Sequence, residues 1–299
     1  MSLSGRLVII GAGLIGGSIA AAARERGYAD YIVGVDTDRA ALELGMSLAL
    51  LDEVGLPIDL GADDLLVIAT PTLSVPVVLG ELIDGEGRLA GGATVTDAAS
   101  VKGSVVAAAR ALPGGMPERF VPGHPISGSE RSGISAARAD LFVGRRVILT
   151  PDPGTLAVAA DRVCALWQAM GARVSVMDVM EHDRVLAMTS HLPHLLAFAL
   201  VDTLGRMPEH EEIFSLAAGG FLDFTRIASS DPVMWSDVFS ANAGATVEIL
   251  DRLLEDLGVL RALLESGDRV ALLETFARAK RLRDEHVLDV ESGSGEGVP

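Results

Sequence analysis

The chain has one cysteine, Cys164, in 299 residues. No disulfide can form within it, so the fold must rest on packing, and a reducing compartment is the natural setting. Its neighbours in VCALWQAMG make Cys164 a buried helical thiol rather than a reactive one. Basic residues are also scarce. Lys and Arg number 24 against 41 Asp and Glu, a formal net charge of −17. That balance opposes non-specific binding to nucleic acid or to anionic membranes, although a local Arg or Lys can still hold a small anion. A clean membrane span is lacking too, because His191, Pro193 and His194 interrupt the apolar run around 185–201. Residues 6–23 have the outline of a secretory signal, but Gly11, Gly13, Gly16 and Gly17 would weaken its apolar helix. A second strand-like run, DYIVGVD, follows, so the stretch reads as part of the fold and the protein as cytoplasmic.

What is present is core material: 49% of the residues are hydrophobic, and the length suits two ordinary domains. Short Val/Ile-rich runs at 6–11, 31–36, 65–70, 93–98, 119–123 and 146–151 read as strands, with helix-like segments between them. Continuous apolar strands alternating with helices imply a mostly parallel Rossmann-type α/β sheet covered on both faces. Residues 172–178 read as a possible last strand of that sheet. Beyond 179 the apolar spacing turns helical and no strand is evident. The predicted organisation is a dinucleotide-binding domain over 1–178, an all-α domain over 179–290 and a disordered polar tail over 291–299. Leu250, Leu253, Leu254, Leu257, Leu260 and Leu264 share one helical face. Such a stripe is read first as core and alternatively as a dimer seam.

GAGLIGG closes the first strand and opens a helix, which spaces Gly11, Gly13 and Gly16 as G-x-G-x-x-G, with Leu14 and Ile15 between the last two. Gly11 allows the tight turn, Gly13 the approach of a pyrophosphate, and Gly16 close helix–strand packing. Alone the pattern is weak. Asp36, 20 residues beyond Gly16 at the end of the second strand, can accept both ribose hydroxyls and would repel a 2′-phosphate. NAD is therefore expected over NADP, although the same Asp could cap a helix. Thr70 and Pro71, ending the third strand run, are expected at the same cofactor edge.

Ser100 and Lys102 follow the fourth strand run, and His124 follows the fifth inside PGHPISGSERSG, so three strand ends deliver polar groups to one edge. Residue chemistry alone leaves alternatives open. His124 could cap a turn in its Gly/Pro loop. Arg226 could pair with Asp223, three residues before it. His191 and His194 straddle Pro193, which suits the first turn of a helix capped by Ser190. A site made of His124, His191 and His194 would lack a carboxylate or thiolate at ligand spacing, and no metal is expected. Asp231-Pro232 reads as a structural helix start.

Five stretches in order, VIIGAGLIGGSIA, TDAASVKG, GHPISGSERSG, SHLPHLLAFAL and GGFLDFTRIASSDPVMW, resemble the prephenate dehydrogenase (TyrA) family, which includes arogenate and cyclohexadienyl dehydrogenases. The resemblance spans residues 6–240. It implies NAD-dependent oxidative decarboxylation of prephenate to 4-hydroxyphenylpyruvate in tyrosine biosynthesis, or of arogenate, by a homodimer joined through its helical domains. It makes His124 the catalytic histidine at the substrate hydroxyl and Ser100 the residue that holds it. It also makes Arg226 a carboxylate anchor, places His191 and His194 at the cleft, and makes Glu130 a partner for a basic group such as Arg226. Two rivals fare worse. A β-hydroxyacid dehydrogenase needs a lysine in its helical domain, and residues 179–279 contain none. A catalytically silent NAD-binding sensor would have no need of His124, Ser100 and Arg226 together.

Overall fold

A computed structural model of the chain describes residues 2–84, 88–129 and 131–286; the predicted tail at 291–299 lies outside them. The first five apolar runs become β1 (Leu7–Ile10), β2 (Ile32–Val35), β4 (Leu65–Ile68), β5 (Thr94–Asp97) and β6 (Phe120–Val121), with a short, exposed β3 (Glu53–Val54) that no predicted run covered between β2 and β4. They form one sheet in the order β3-β2-β1-β4-β5-β6, and every pairing is parallel. The connecting helices are α1 (Leu14–Glu25), α2 (Arg39–Ser47), α3 (Val75–Asp84) and α4 (Lys102–Arg110). Successive side chains of a strand point to opposite faces. Leu7 and Ile9 accordingly enter one core with Ile19, Val163 and Trp167, while Val8 and Ile10 enter another with Leu79 and Val105. Burial on both faces, about 1.5–3 kcal/mol for each such side chain, is why these strands show no polar alternation. The strand order reverses between β1 and β4, and sheets of this kind bind ligands at the carboxyl ends of the strands at such a reversal.

The predicted single sheet divides at Pro122. Proline has no N–H to donate to a ladder, so the fifth run ends as β6 and the chain restarts as β7 (Gly123–Pro125). β7 pairs antiparallel with β8 (Arg146–Leu149), placing His124 opposite Ile148. β9 (Arg173–Val176) then pairs parallel with β8. The run at 172–178 thus belongs to a separate three-stranded sheet, β7-β8-β9, and not to the larger one. α5 (Ala157–Ala169) joins β8 to β9 and sends Trp167 edge-on against Phe142.

No strand follows β9 among the described residues. α6 (Val179–Leu186) runs through a π turn (Ala187–His191) into α7 (Leu192–Gly205), giving one continuous helix. Pro193 was expected in the first turn of a helix starting near Ser190, yet the helix passes through it. The Leu192 amide reaches back to Ala187 O, and this wider turn loosens the ladder where the proline ring would clash. By length and apolarity this helix could cross a membrane, with a mean hydropathy of 1.4, so His191, Pro193 and His194 do not interrupt the run as far as expected. It also carries the buried His182, Asp183 and His191, which find protein partners. α8 (His210–Ser215), α9 (Gly219–Thr225), a 3-10 turn (Arg226–Ser229) and α10 (Pro232–Ala241) follow. Asp231 caps α10 by accepting from the Val233 and Met234 amides at 2.8 and 3.0 Å.

The last helices are α11 (Ala243–Ser266) and α12 (Arg269–His286). Residues 1–246 form one compact unit and residues from 247 onward another. In the second unit Leu254, Leu257 and Leu264 are exposed, as are Leu273 and Phe276 on α12. The leucine stripe is therefore not core within a single chain.

Candidate active site

The predicted glycine loop lies at the carboxyl ends of β1 and β4, with Gly11 against Ala69. Gly11 has φ +108°, a conformation that favours glycine, and a Cβ there would lie 2.6 Å from Ala69 C and O. A Cβ at Gly13 would meet nothing within 4 Å, and α1 starts there without a side-chain cap. Its first amides thus have no side-chain cap, as an anion site requires. Leu14 and Ile15 form the first turn of α1. Asp36 stands beside the loop, and its carboxylate accepts from the Ala12 and Asp38 amides at 2.6 and 2.8 Å. Thr70 flanks the loop from the end of β4, with its hydroxyl oxygen buried and unpaired among the described residues, and Pro71 follows it at the surface. These residues fit a dinucleotide. Gly16→Ala would place a Cβ 1.9 Å from Gly11 O. We expect it to force α1 off β1, lowering stability by about 1–3 kcal/mol and weakening dinucleotide binding, as read by thermal melting and titration calorimetry.

His124 lies on β7, mostly buried, with its backbone mount made by an ion pair. Lys102, at the start of α4, and Asp97, at the end of β5, have fully buried side chains that bond to each other. Lys102 Nζ also donates to Gly123 O at 2.6 Å, and Asp97 Oδ1 accepts from the Gly123 amide at 3.2 Å. Both polar groups of the residue before His124 are therefore held by this pair. Burial lowers the Lys102 pKa, and the Asp97 charge opposes that.

The imidazole itself bonds to a partner that the sequence reading did not identify. His124 Nδ1 is 3.0 Å from His182 Nε2, and His182 Nδ1 is 2.8 Å from Asp183 Oδ1. Asp178 caps α6, which carries both residues in one turn. Asp183 in turn accepts from the Lys102 and Gly103 amides at 2.8 and 2.7 Å, capping α4 from 81 and 80 residues away. Burial pushes the Asp183 pKa up, but the bonds from His182 and those two amides outweigh it and hold the carboxyl low. His124 is pushed well below the ordinary imidazole range, first by burial and then by His182, Lys102 and His191. Ser100, expected to hold this ring, sits in the turn before α4 and is not its hydrogen-bond partner here.

His191 ends the π turn, buried against Trp235 and Phe239. Asn242 Nδ2 donates to Asp183 O at 2.8 Å and lies 3.2 Å from His191 Nδ1, so His191 carries its proton on Nε2. Burial pushes its pKa down to about 4. His194 stacks on Trp235 with ring centroids 3.7 Å apart, and its Nδ1 bonds Ser190 O at 2.8 Å. Its pKa is lowered by burial and by the Arg226 charge, against the Ser190 bond; Arg226 opens the 3-10 turn packed beside α7. Glu130 lies outside the described residues. His182, Asp183, Asp97, Asn242 and Trp235 are the members of this cluster that spacing did not single out. The one available signal was the His182-Asp183 pair one turn into an apolar helix. Among the described residues no three His, Cys, Asp or Glu are placed to hold a metal.

A parallel sheet in this order, with a glycine loop and a carboxylate at its reversal and a buried imidazole beyond its edge, defines a nucleotide-binding oxidoreductase. Comparison with known proteins narrows the class. Residues 19–176 match the prephenate dehydrogenase nucleotide-binding domain, and 178–278 match the prephenate dehydrogenase dimerization domain. A cyclohexadienyl dehydrogenase of Zymomonas mobilis is 34% identical, over 95% of this chain and 96% of its own. Prephenate dehydrogenase of Aquifex aeolicus, solved with hydroxyphenyl propionate and NAD⁺, is 35% identical with TM-score 0.85, over 95% of this chain and 98% of that one. Synechocystis arogenate dehydrogenase is 27% identical with TM-score 0.77, over 94% of this chain and all of its own. The chain belongs to the prephenate dehydrogenase family.

Proposed function

We propose that this protein is an NAD-dependent prephenate dehydrogenase, acting in the cytoplasm as a homodimer, that converts prephenate to 4-hydroxyphenylpyruvate and CO₂. The observation that carries this reading is the mounting of His124, with Nδ1 bonded to His182 and the ring held neutral by burial. A neutral imidazole can take a hydroxyl proton near pH 7. The nicotinamide supplies the hydride acceptor when bound; Gly11, Gly13, Leu14, Ile15, Gly16, Asp36, Thr70 and Pro71 would hold the dinucleotide. His124 accepts the hydrogen bond, and then the proton, of the 4-hydroxyl as hydride leaves that carbon. The electron pair of the departing ring carboxylate aromatises the ring, and the proton returns to the phenolic oxygen. Ser100 would orient the hydroxyl. Arg226, close enough to act on His194, would bind a substrate carboxylate bidentately. His191, with Nε2–H to donate, and His194 would line the ring, and Glu130 would pair with a basic group until substrate arrives. The helical part, 179–290, would form the dimer contact through the exposed leucines of α11 and α12.

Because relatives act on the cyclohexadienyl and arogenate substrates their names state, arogenate turnover, or use of both compounds, is the second reading. The purified protein, given NAD⁺ and each compound in turn, should form NADH with prephenate as the better substrate. Turnover of neither would overturn the assignment, and arogenate preference would rename the substrate. Arg226→Ala should lower kcat/KM by about 10- to 100-fold, mostly through KM, the effect of losing a charged hydrogen bond.

A further inference from the structure

We propose that His182 and Asp183 are positioning residues that fix the tautomer of His124, leaving its Nε2 bare to receive the hydroxyl proton. The inference rests on the reading of His124 given above, but its geometry does not depend on the substrate.

An ionised carboxylate only accepts, and Asp183 is held ionised by two amides at the start of α4, Lys102 N at 2.8 Å and Gly103 N at 2.7 Å. A Cβ at Gly103 would stand 2.6 Å from Asp183 Oδ2, so the carboxylate lies directly on the backbone. Asp183 Oδ1 therefore takes a proton from His182 Nδ1, 2.8 Å away. The His182 side chain is fully buried, so water cannot offer another partner. A neutral His182 with its proton on Nδ1 presents a bare Nε2 and can only accept. Its neighbour at 3.0 Å, His124 Nδ1, must then be the donor. A neutral imidazole carries one proton, and so His124 Nε2 is left as the acceptor. In the opposite arrangement His182 Nε2 would donate, His124 would hold its proton on Nε2, and it could not act as a base. A bare His182 Nδ1 would then face the Asp183 carboxylate, lone pair against lone pair.

The other charged and titratable groups around the relay reinforce this direction. The Lys102 ammonium acts on His124 from α4 and is neutralised by Asp97 on β5; His191 from the π turn acts on His124 and His182. None of them offers Asp183 a competing proton. Asn242 Nδ2 donates to the Asp183 backbone carbonyl, which locks the turn that carries the carboxylate. Asp183 thus ties the start of α4, and through Lys102 the mount of Gly123, to the proton position on a ring one strand away.

Long-range ¹H–¹⁵N spectra of the full-length protein with ¹⁵N-labelled histidine read the tautomer without substrate. At neutral pH, His124 should show a protonated Nδ1 and a bare Nε2; the reverse overturns the proposal. Asp183→Asn offers His182 an amide donor and inverts the chain, so His124 should become protonated on Nε2. Turnover should fall by about 10³-fold in the folded variant, with KM changed little. His182→Leu should also cost about 10²-fold or more in kcat, and should move the acid limb of the kcat/KM profile. His182→Gln, which keeps an acceptor toward His124, should restore activity to within about tenfold. If Leu and Gln variants fall equally, or the acid limb stays in place in the folded Leu variant, His182 is structural filling and the relay is wrong. A wild-type protein that turns over neither prephenate nor arogenate would sink the assigned reaction while the spectra still decide the relay.

Discussion

His124→Asn is expected to cut turnover by about 10²- to 10⁴-fold, the contribution of a positioned general base, while dinucleotide affinity stays at the wild-type value. The asparagine amide reaches the position of the imidazole Nδ1, so the contact 3.0 Å from His182 Nε2 can be kept. What disappears is Nε2, the atom assigned to the hydroxyl proton. The Gly loop and Asp36 are untouched, so calorimetric titration with NAD⁺ should be unchanged. Retention of activity would mean that the hydroxyl proton leaves by another route. The pH dependence carries the same signature. Burial depresses the His124 pKa, so the neutral, competent form persists above that lowered value. Activity should therefore hold as pH falls through the ordinary imidazole range and fail only below it. An acid limb at the unperturbed imidazole value would contradict the buried placement.

Lys102→Met should be the most destabilising single change in the cluster, costing about 3–5 kcal/mol in urea denaturation at neutral pH. Both side chains of the Lys102–Asp97 pair are 0% exposed. Removing the ammonium strands a carboxylate with no water to solvate it, and breaking a buried pair costs far more than the pair itself contributes. The figure is a large share of the whole stability of an ordinary domain, about 5–15 kcal/mol. Adding Asp97→Asn should recover much of the loss, since the amide oxygen can still accept from Ala99 N or Gly123 N without a buried charge. If the single variant melts like wild type, the pair is not held as an ion pair. Loss of the Lys102 bond to Gly123 O should also slow turnover in whatever fraction remains folded, because β7 loses half of its mount.

How much of this was legible in the chain follows from the distance over which each signal acts. The Gly loop, Asp36 and five of the first six strands were readable because a strand buried on both faces and a tight strand–helix turn each leave their mark within about ten residues, whereas the exposed two-residue β3 leaves none. His124 stood out because Gly123 and Pro125 bracket it, and the family motifs implied a role for it. The division of the sheet at Pro122 was within reach, since proline cannot continue a ladder, but which strand β7 would join depended on β8, more than 20 residues later. The passage of the helix through Pro193 was not readable, because a π turn depends on what the freed groups meet. The leucine stripe of α11 gave its period but not its partner, since an amphipathic face looks the same whether its own chain or a second one covers it.

By itself, then, the sequence determined the α/β order and the glycine turn, both properties of local pattern, and the family resemblance marked His124 as the proposed base. The tertiary structure alone decided which nitrogen of that base is free. That choice rests on Asp183 and His182 meeting Lys102, Gly103 and His124 across 58–81 residues of chain. Hydrogen-bond direction is set by what the fold brings within 3 Å, and no spacing rule along the chain encodes it.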